Sequence, residues 1–174
     1  MGVSSVGGGW SDAALRDAMD LAYLTGQRVG DVWSMDVRQV TARGLIIQQS
    51  KTSNRVTMEI TGELATLLER IAKRKREKYP NGREKVYSSR LIVDEDGIGI
   101  GRAALRYRFD KAREAAGIAE GEFQFRDLRA KAGTDKADSA KDIREAQARL
   151  GHSSVTTTEI YVRKKRGSKA TPTR

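Results

Sequence analysis

The chain has 174 residues, enough for one domain with a hydrophobic core, and its 33 Lys and Arg against 23 Asp and Glu give a net charge of +10. That balance favours a polyanionic partner, because each phosphate contacted by a cation releases condensed counterions. Basic structural proteins share this charge, so charge alone identifies no activity. The absence of cysteine and the single histidine exclude disulfides, thiolate or histidine-rich metal sites and cysteine nucleophiles. No apolar run approaches the ~20 residues that span a bilayer, so a soluble, cytoplasmic chain without membrane contact is expected.

The N-terminal quarter of the chain is predicted to be helical after a short leader. Residues 1–9 are small and glycine-rich, so residues 1–10 are interpreted as a flexible linker or an expression remnant. Ser11 and Asp12 are suited to cap a helix that Gly26 ends. The apolar face of that helix comprises Leu15, Met19, Ala22 and Tyr23. A second short helix is expected after Arg28, and it carries Val32, Trp33 and Met35.

The hydrophobic period then changes from helical to alternating. Residues 44–49 predict a strand, 50–54 a turn and 55–60 the returning strand of an antiparallel hairpin. On the returning strand, one face carries Val56, Met58 and Ile60. Lys51 therefore lies at the tip of the hairpin.

The remainder is predicted to be mainly helical. A helix over 62–79 has a core-facing stripe of Leu64, Leu67, Leu68 and Ile71 and a basic end at Lys73–Arg76, which is interpreted as solvated rather than as a phosphate contact. A short strand near 86–93 and a turn at 94–97 follow. The next helix ends at Gly117 and buries Leu105, Phe109, Ala112 and Ala116. Further helices are expected at 126–137, 141–150 and 155 to about 162, with a mobile basic tail from Arg163 onward.

Five short motifs stand in a fixed order along these elements. They are Thr25-Gly-Gln-Arg28, Gln49-Ser-Lys51-Thr, Arg126-Asp-Leu-Arg129, Leu150-Gly-His152-Ser-Ser and three threonines that lead to Tyr161. The order arginine, lysine, arginine, histidine, tyrosine resembles the catalytic domain of tyrosine recombinases, the phage integrase family, over residues 11–165. The resemblance implies an α+β fold that is mainly helical with a small antiparallel β-sheet, the fold of DNA breaking-rejoining enzymes.

The same resemblance implies site-specific recombination of double-stranded DNA, as in phage or prophage integration and excision. Tyr161 is then the nucleophile that forms a 3′-phosphotyrosyl intermediate, and Lys51 is the acid for the leaving 5′ oxygen. The scissile phosphate is bound by Arg28, Arg126, Arg129 and His152. This chemistry suits the residue types, because arginine's planar fork matches phosphate and an ester intermediate preserves the bond energy. No cofactor, metal or ATP is implied.

Two positions leave alternatives open. Arg126 stands where the family most often has histidine, and an arginine stays protonated, so it is expected to donate hydrogen bonds rather than to accept a proton. Asp31 either orients the Arg28 guanidinium or is a helix-surface acid. Residues 11–165 are expected to form the catalytic domain, residues 166–174 a basic tail, and the N-terminal core-binding domain of the family is absent from this sequence.

The resemblance further implies a homo-tetramer on synapsed DNA sites, a monomer in isolation, possible accessory DNA-bending proteins and action at the nucleoid of a bacterial host. Two other functions remain open at this point. A non-catalytic DNA-binding relative would keep the fold and the basic surface. A type IB topoisomerase would share the chemistry but would relax supercoiled DNA as a single molecule, without a synapsed tetramer. The presence of all five residues, Arg28, Lys51, Arg129, His152 and Tyr161, argues against a non-catalytic relative. The short spacing of the motifs and Leu150-Gly-His152-Ser-Ser favour a recombinase over a topoisomerase.

Overall fold

The N-terminal helices form as the sequence predicts. The computed structural model describes residues 12–77, 81–84, 87–140 and 142–166, and for 140 and 161–166 it describes the backbone alone. Helix α1 (Ala13–Thr25) is capped by Asp12, whose carboxylate accepts from the Leu15 amide at 2.9 Å. It ends at Gly26, where φ is +66°. The short α2 (Val29–Ser34) begins directly afterwards.

The predicted hairpin is confirmed and belongs to a three-stranded antiparallel sheet. The strands are β1 (Val40–Thr41), β2 (Gly44–Gln48) and β3 (Arg55–Met58), in the order β1-β2-β3. Leu45 pairs with Met58 and Gln48 with Arg55. Strand β1 was not predicted, because two residues are too short to show an alternating pattern.

Helix α3 (Gly62–Arg74) buries the predicted stripe but ends earlier than residue 79, which itself lies outside the described residues. The interpretation of its basic end as solvated is wrong for two of the four residues. Arg74 forms an ion pair with the buried Asp17. The Lys75 ammonium donates to the Ser88 carbonyl at 2.6 Å. These cations hold α3 against its neighbours.

The predicted strand near 86–93 is wrong in the part that the structure describes. Residues 87–93 make only isolated bridges, Asp36 with Arg90 and Val93 with Gly99. The apolar run Leu91–Val93 is buried, yet it folds back at Gly97 instead of extending along the sheet. The predicted turn at 94–97 is present, closed by the Gly97 amide donating to the Asp94 carbonyl at 3.1 Å.

Four helices complete the fold. They are α4 (Arg102–Ala115), α5 (Asp127–Ala140), α6 (Ile143–Leu150) and α7 (Val155–Arg166). Leu105 and Phe109 are buried as predicted, but Ala116 is exposed, because it follows the last turn of α4. Helix α7 continues through Arg166, so the tail expected from Arg163 is helical at its start, and residues 167–174 lie outside the description.

One hydrophobic core joins α1, α2, α3, α4 and the sheet. Its largest fully buried apolar side chains include Leu21, Met35, Leu45, Ile71 and Leu105. Helices α5, α6 and α7 pack together and meet this core through α1 and α5. Among the described residues, no helix has the length and apolar character that crossing a membrane requires. The predicted fold class, mainly helical with a small antiparallel sheet, is confirmed.

Candidate active site

Arg28 lies in the link between the first two helices. Gly26 reverses the chain with a left-handed backbone, and Arg28 follows at the N-cap position of α2 in extended conformation. The side chain of Arg28 is half-buried, and its Nη1 lies 3.5 Å from the Gln49 side-chain oxygen. At that distance the hydrogen bond is weak, so the guanidinium retains most of its donors for another acceptor.

Lys51 is exposed at the hairpin turn, as the sequence predicts. The turn is closed by the Gln49 amide donating to the Asn54 carbonyl at 2.8 Å. Asp31 fixes the same turn, because its Oδ1 accepts from the Ser50 amide at 2.9 Å and from the Ser50 hydroxyl at 2.8 Å. Asp31 is only 2% exposed, so its interpretation as a surface acid is wrong. In the described residues, the hydrogen bonds of its carboxylate go to the Lys51 hairpin rather than to the Arg28 guanidinium.

Arg129 is buried one turn into α5, with 3% of its surface exposed. Its Nη1 donates to the Gly26 carbonyl and its Nη2 to the Leu150 carbonyl, each at 2.7 Å. Nη2 also lies 3.0 Å from His152 Nε2. Arg129 therefore joins the segment that carries Arg28 to the segment that carries His152.

His152 follows α6 directly after a glycine that the geometry requires. Gly151 has φ of +64°, and a Cβ at this position would lie 2.5 Å from the Gln49 side-chain nitrogen. Glycine is required here because it has no Cβ, so it adopts a positive φ easily and leaves room for the Gln49 side chain. The His152 Nδ1 lies 3.0 Å from the hydroxyl of Thr158, a fully buried residue of α7.

The charge state and tautomer of His152 follow from its neighbours. A guanidinium can only donate, so Nε2 accepts from Arg129 and the proton resides on Nδ1, which donates to Thr158. Burial, together with the positive charges of Arg129 and Arg28, lowers the pKa of His152 from 6.5 to about 4. The ring is therefore neutral near pH 7. The same positive field that suppresses a proton attracts an anion.

The remaining predicted residues occupy different surroundings. Arg126 is exposed immediately before α5 and lines a cavity of about 320 Å³ with Arg102, Arg106 and Val29. The described contacts do not bring Arg126 and Arg129 onto a shared partner. Tyr161 belongs to α7, but its side chain lies outside the description.

Sequence reasoning missed the amides that connect these segments. Gln27 and Gln49 are almost fully buried, and the Gln49 Nε2 donates to the Gln27 side-chain oxygen at 2.7 Å and to the Leu150 carbonyl at 2.8 Å. A signal for Gln49 exists in the alternation of β2. Leu45 and Ile47 face inward, so the same phase places Gln49 inside, where a polar side chain needs partners.

Comparison with known proteins decides the family. The profile described as "Phage integrase family" matches residues 9–167. The chain belongs to this family. A relative from Roseiflexus sp. (strain RS-1), tyrosine recombinase XerC, is 26% identical over 157 residues, which cover 90% of this chain and 49% of the relative. The integrase of Escherichia phage HK022 is 33% identical over 104 residues, 60% of this chain and 28% of that integrase.

Among solved structures, a lambda integrase tetramer bound to a Holliday junction matches with a TM-score of 0.75 and 24% identity, covering 92% of this chain and 46% of the lambda chain. That likeness shows the fold of this integrase-family chain. The chain spans about half the length of the Roseiflexus relative and less of the HK022 integrase. The family and fold expected from the five motifs are thus confirmed.

Proposed function

We propose that this chain performs site-specific DNA recombination, of the kind that integrates or excises a phage or prophage genome, through a 3′-phosphotyrosyl intermediate. The observation that carries this proposal is the joining of three separate motifs into one positively charged cluster around His152. Arg129 contacts both the Gly26 carbonyl and the His152 ring, and Arg28 lies close enough to lower the pKa of that ring. A non-catalytic relative has no need to keep this arrangement.

Each group has a role in the proposed reaction. The Tyr161 hydroxyl loses its proton to water and its oxygen attacks the scissile phosphorus, the bond to the 5′ oxygen breaks, and the DNA 3′ end remains as a tyrosyl ester. Arg28 and Arg129 stabilise the non-bridging oxygens as negative charge develops, since forked donors match phosphate geometry. Lys51 gives a proton to the leaving 5′ oxygen. Attack of a 5′-hydroxyl on the ester reverses these steps and releases Tyr161, so no external energy source is consumed.

The position of Tyr161 along its helix supports this assignment. Thr158 contacts the His152 ring, and Tyr161 follows three residues later within α7. Residues three apart in an α-helix share a face. The turn of α7 that carries Tyr161 therefore follows the turn that holds His152 in place.

Double-stranded DNA is the proposed partner, supported by the net charge of +10 and by the names of the relatives. We further propose that residues 11–165 are the catalytic domain and 166–174 a basic tail. The working assembly is then a homo-tetramer on two synapsed sites in a bacterial host, with accessory DNA-bending proteins where the sites require them. Lambda integrase, which shares the fold, is a tetramer on a Holliday junction.

The decisive experiment offers nicked half-site DNA, from which the cleaved fragment diffuses away, and looks for a covalent protein–DNA adduct. The proposal expects an adduct that survives denaturation and maps to Tyr161. DNA binding without any adduct on nicked or bridged half-sites identifies a non-catalytic relative instead. Efficient relaxation of supercoiled DNA by isolated monomers, without strand exchange, identifies the topoisomerase alternative.

A further inference from the structure

The end of α6, immediately before His152, is held by side-chain amides from elsewhere in the chain. The last carbonyls of a helix have no partner within the helix and need other donors. Here three consecutive carbonyls receive them. Gln27 donates to the Arg149 carbonyl at 3.0 Å, Gln49 to the Leu150 carbonyl at 2.8 Å, and Asn54 to the Gly151 carbonyl at 2.9 Å.

We propose that Gln27, Gln49 and Asn54 form an amide clamp whose role in the reaction is to position Lys51. This inference rests on the recombinase function proposed above. Gln49 and Asn54 stand on either side of the hairpin turn that carries Lys51, and both reach the end of α6. Lys51 is therefore tied to the backbone that leads into His152, although its own side chain is exposed.

The hairpin depends on this tie because its described backbone bonds lie within the sheet and do not join it to α6. Two sets of backbone bonds fix the register of the turn. They are the pairing of β2 with β3 and the bond from the backbone N–H of Gln49 to the backbone carbonyl of Asn54. These bonds act within the hairpin. The side chains of Gln49 and Asn54 connect the hairpin to the end of α6, and Asp31 holds Ser50 in the turn.

The two glutamines of the clamp are buried, and the nitrogen and oxygen of each side-chain amide are hydrogen-bonded. Gln49 has no exposed surface and Gln27 has 1%. The Gln49 side-chain oxygen also accepts from the Thr52 hydroxyl at 2.8 Å, so one amide contacts the turn, the Arg28 segment and α6. A positioning network of this kind has a measurable effect, because misplacing a reacting group by about 1 Å can cost roughly 100-fold in rate.

The test is Gln49→Met, which keeps the volume and removes both polar functions. We expect single-turnover cleavage of an ordinary half-site to fall by about 10- to 100-fold, with DNA affinity unchanged within about 2-fold. Cleavage of a 5′-bridging phosphorothiolate, whose sulfur leaves without a proton, should fall by less than about 3-fold. Gln48→Met is the matched control, since Gln48 is exposed at the neighbouring position and its described side-chain bond stays within the hairpin, to the Ser53 carbonyl.

A milder variant covers the case in which Gln49→Met does not fold. Asn54 is half-buried, and among the described residues Asn54→Ala removes one side-chain bond, to the Gly151 carbonyl, so a smaller loss with the same difference between substrates is expected. In a Lys51→Ala background, either change should cost less than about 2-fold more, because residues that act through one another are not additive.

These outcomes separate the clamp from the function on which it rests. Failure of the unaltered protein to form any adduct contradicts the proposed function. Normal adduct formation together with equal losses on both substrates, or with full activity in both clamp variants, overturns the clamp while leaving the recombinase function standing.

Discussion

At the scale of single residues, His152 is proposed to bind the phosphate, yet in the free protein its Nε2 is a hydrogen-bond acceptor. Its Nε2 accepts from Arg129 and its proton is on Nδ1, which donates to Thr158, so Nε2 has no proton to donate to a phosphate. A bound phosphodiester offsets the charges of Arg28 and Arg129, which are among the causes of the lowered pKa. We propose that the histidine then gains a proton on Nε2 and donates a hydrogen bond to the phosphate oxygen.

We therefore expect the pKa of His152, about 4 in the free protein, to rise when an oxyanion such as vanadate binds beside Arg28 and Arg129. Because His152 is the only histidine, its ring resonances in an NMR titration need no assignment by mutation. His152→Asn provides the blank spectrum. An unliganded midpoint near that of an ordinary histidine, or a midpoint that vanadate leaves unchanged, contradicts this account.

The same pKa predicts how stability depends on pH. The folded protein holds the pKa of His152 below 6.5, so as pH falls the unfolded chain takes up this proton first. The contribution to the free energy of unfolding is complete above about pH 6.5 and is lost between that value and about 4. Urea unfolding at several pH values measures it. His152→Asn should show a shallower decline over this window, and parallel declines for both proteins count against the prediction.

Tyr161→Phe should abolish the covalent adduct while sparing DNA binding, since only the proposed nucleophilic hydroxyl is deleted. The measurement is denaturing electrophoresis of half-site reactions beside a binding assay on the same DNA. Tyr107→Phe is a suitable control, because Tyr107 is 63% exposed on α4. An adduct that persists in Tyr161→Phe, or maps to Tyr23, Tyr79, Tyr87 or Tyr107, reassigns the nucleophile.

At the scale of elements, the turn after α6 contains Gly151, whose positive φ is a backbone conformation that only glycine adopts easily. Gly151→Ala should lower the free energy of unfolding by about 1–3 kcal/mol, because φ is positive and the new methyl group meets the Gln49 amide. Gly121→Ala is the control, since the space around Gly121 is open and its φ is not positive. Equal stability of the two variants in urea contradicts the close approach.

Arg126 belongs to the segment that leads into α5. Arg126→Ala should reduce cleavage if this guanidinium helps to bind the phosphate, and Arg126→His, which restores the commoner family residue, should retain substantial activity. Arg102→Ala is the comparison for Arg126→Ala, because Arg102 lines the same cavity. Alanine at 126 that cleaves as fast as the parent removes this residue from the mechanism.

The sequence predicted elements where the pattern is local and missed contacts where the partners are distant. The helix ending at Gly26, the hairpin around Lys51 and the stripe on α3 follow from spacing that any window of the chain shows. The fold of 87–93 was misread, since a buried apolar run looks the same in a strand and in an irregular segment. The bond from Gln49 to Leu150 joins residues 101 apart, which no local pattern records.

At the scale of the whole molecule, motif order singles out candidate site residues that composition alone does not distinguish. Arg28 and Arg129 are two of 33 basic residues, and nothing in their own composition distinguishes them. Their contexts in Thr-Gly-Gln-Arg and Arg-Asp-Leu-Arg did. What those contexts do not contain is the direction of each side chain. Arg129 is buried among carbonyls, whereas Arg126 is exposed, although they lie within one turn of each other.

The net charge of +10 predicts how the isolated chain binds DNA. Phosphate contacts release counterions, so affinity for duplex DNA should fall by at least about 10-fold as salt rises from roughly 50 to 200 mM. We also expect little preference between sequences, because phosphate contacts carry no base information. Fluorescence anisotropy with two unrelated duplexes at several salt concentrations measures both effects. Tyr161→Phe, which keeps the charge, serves as the control against covalent capture. Tight binding that salt leaves unchanged, or strong preference for one duplex, contradicts an interface governed by phosphate attraction.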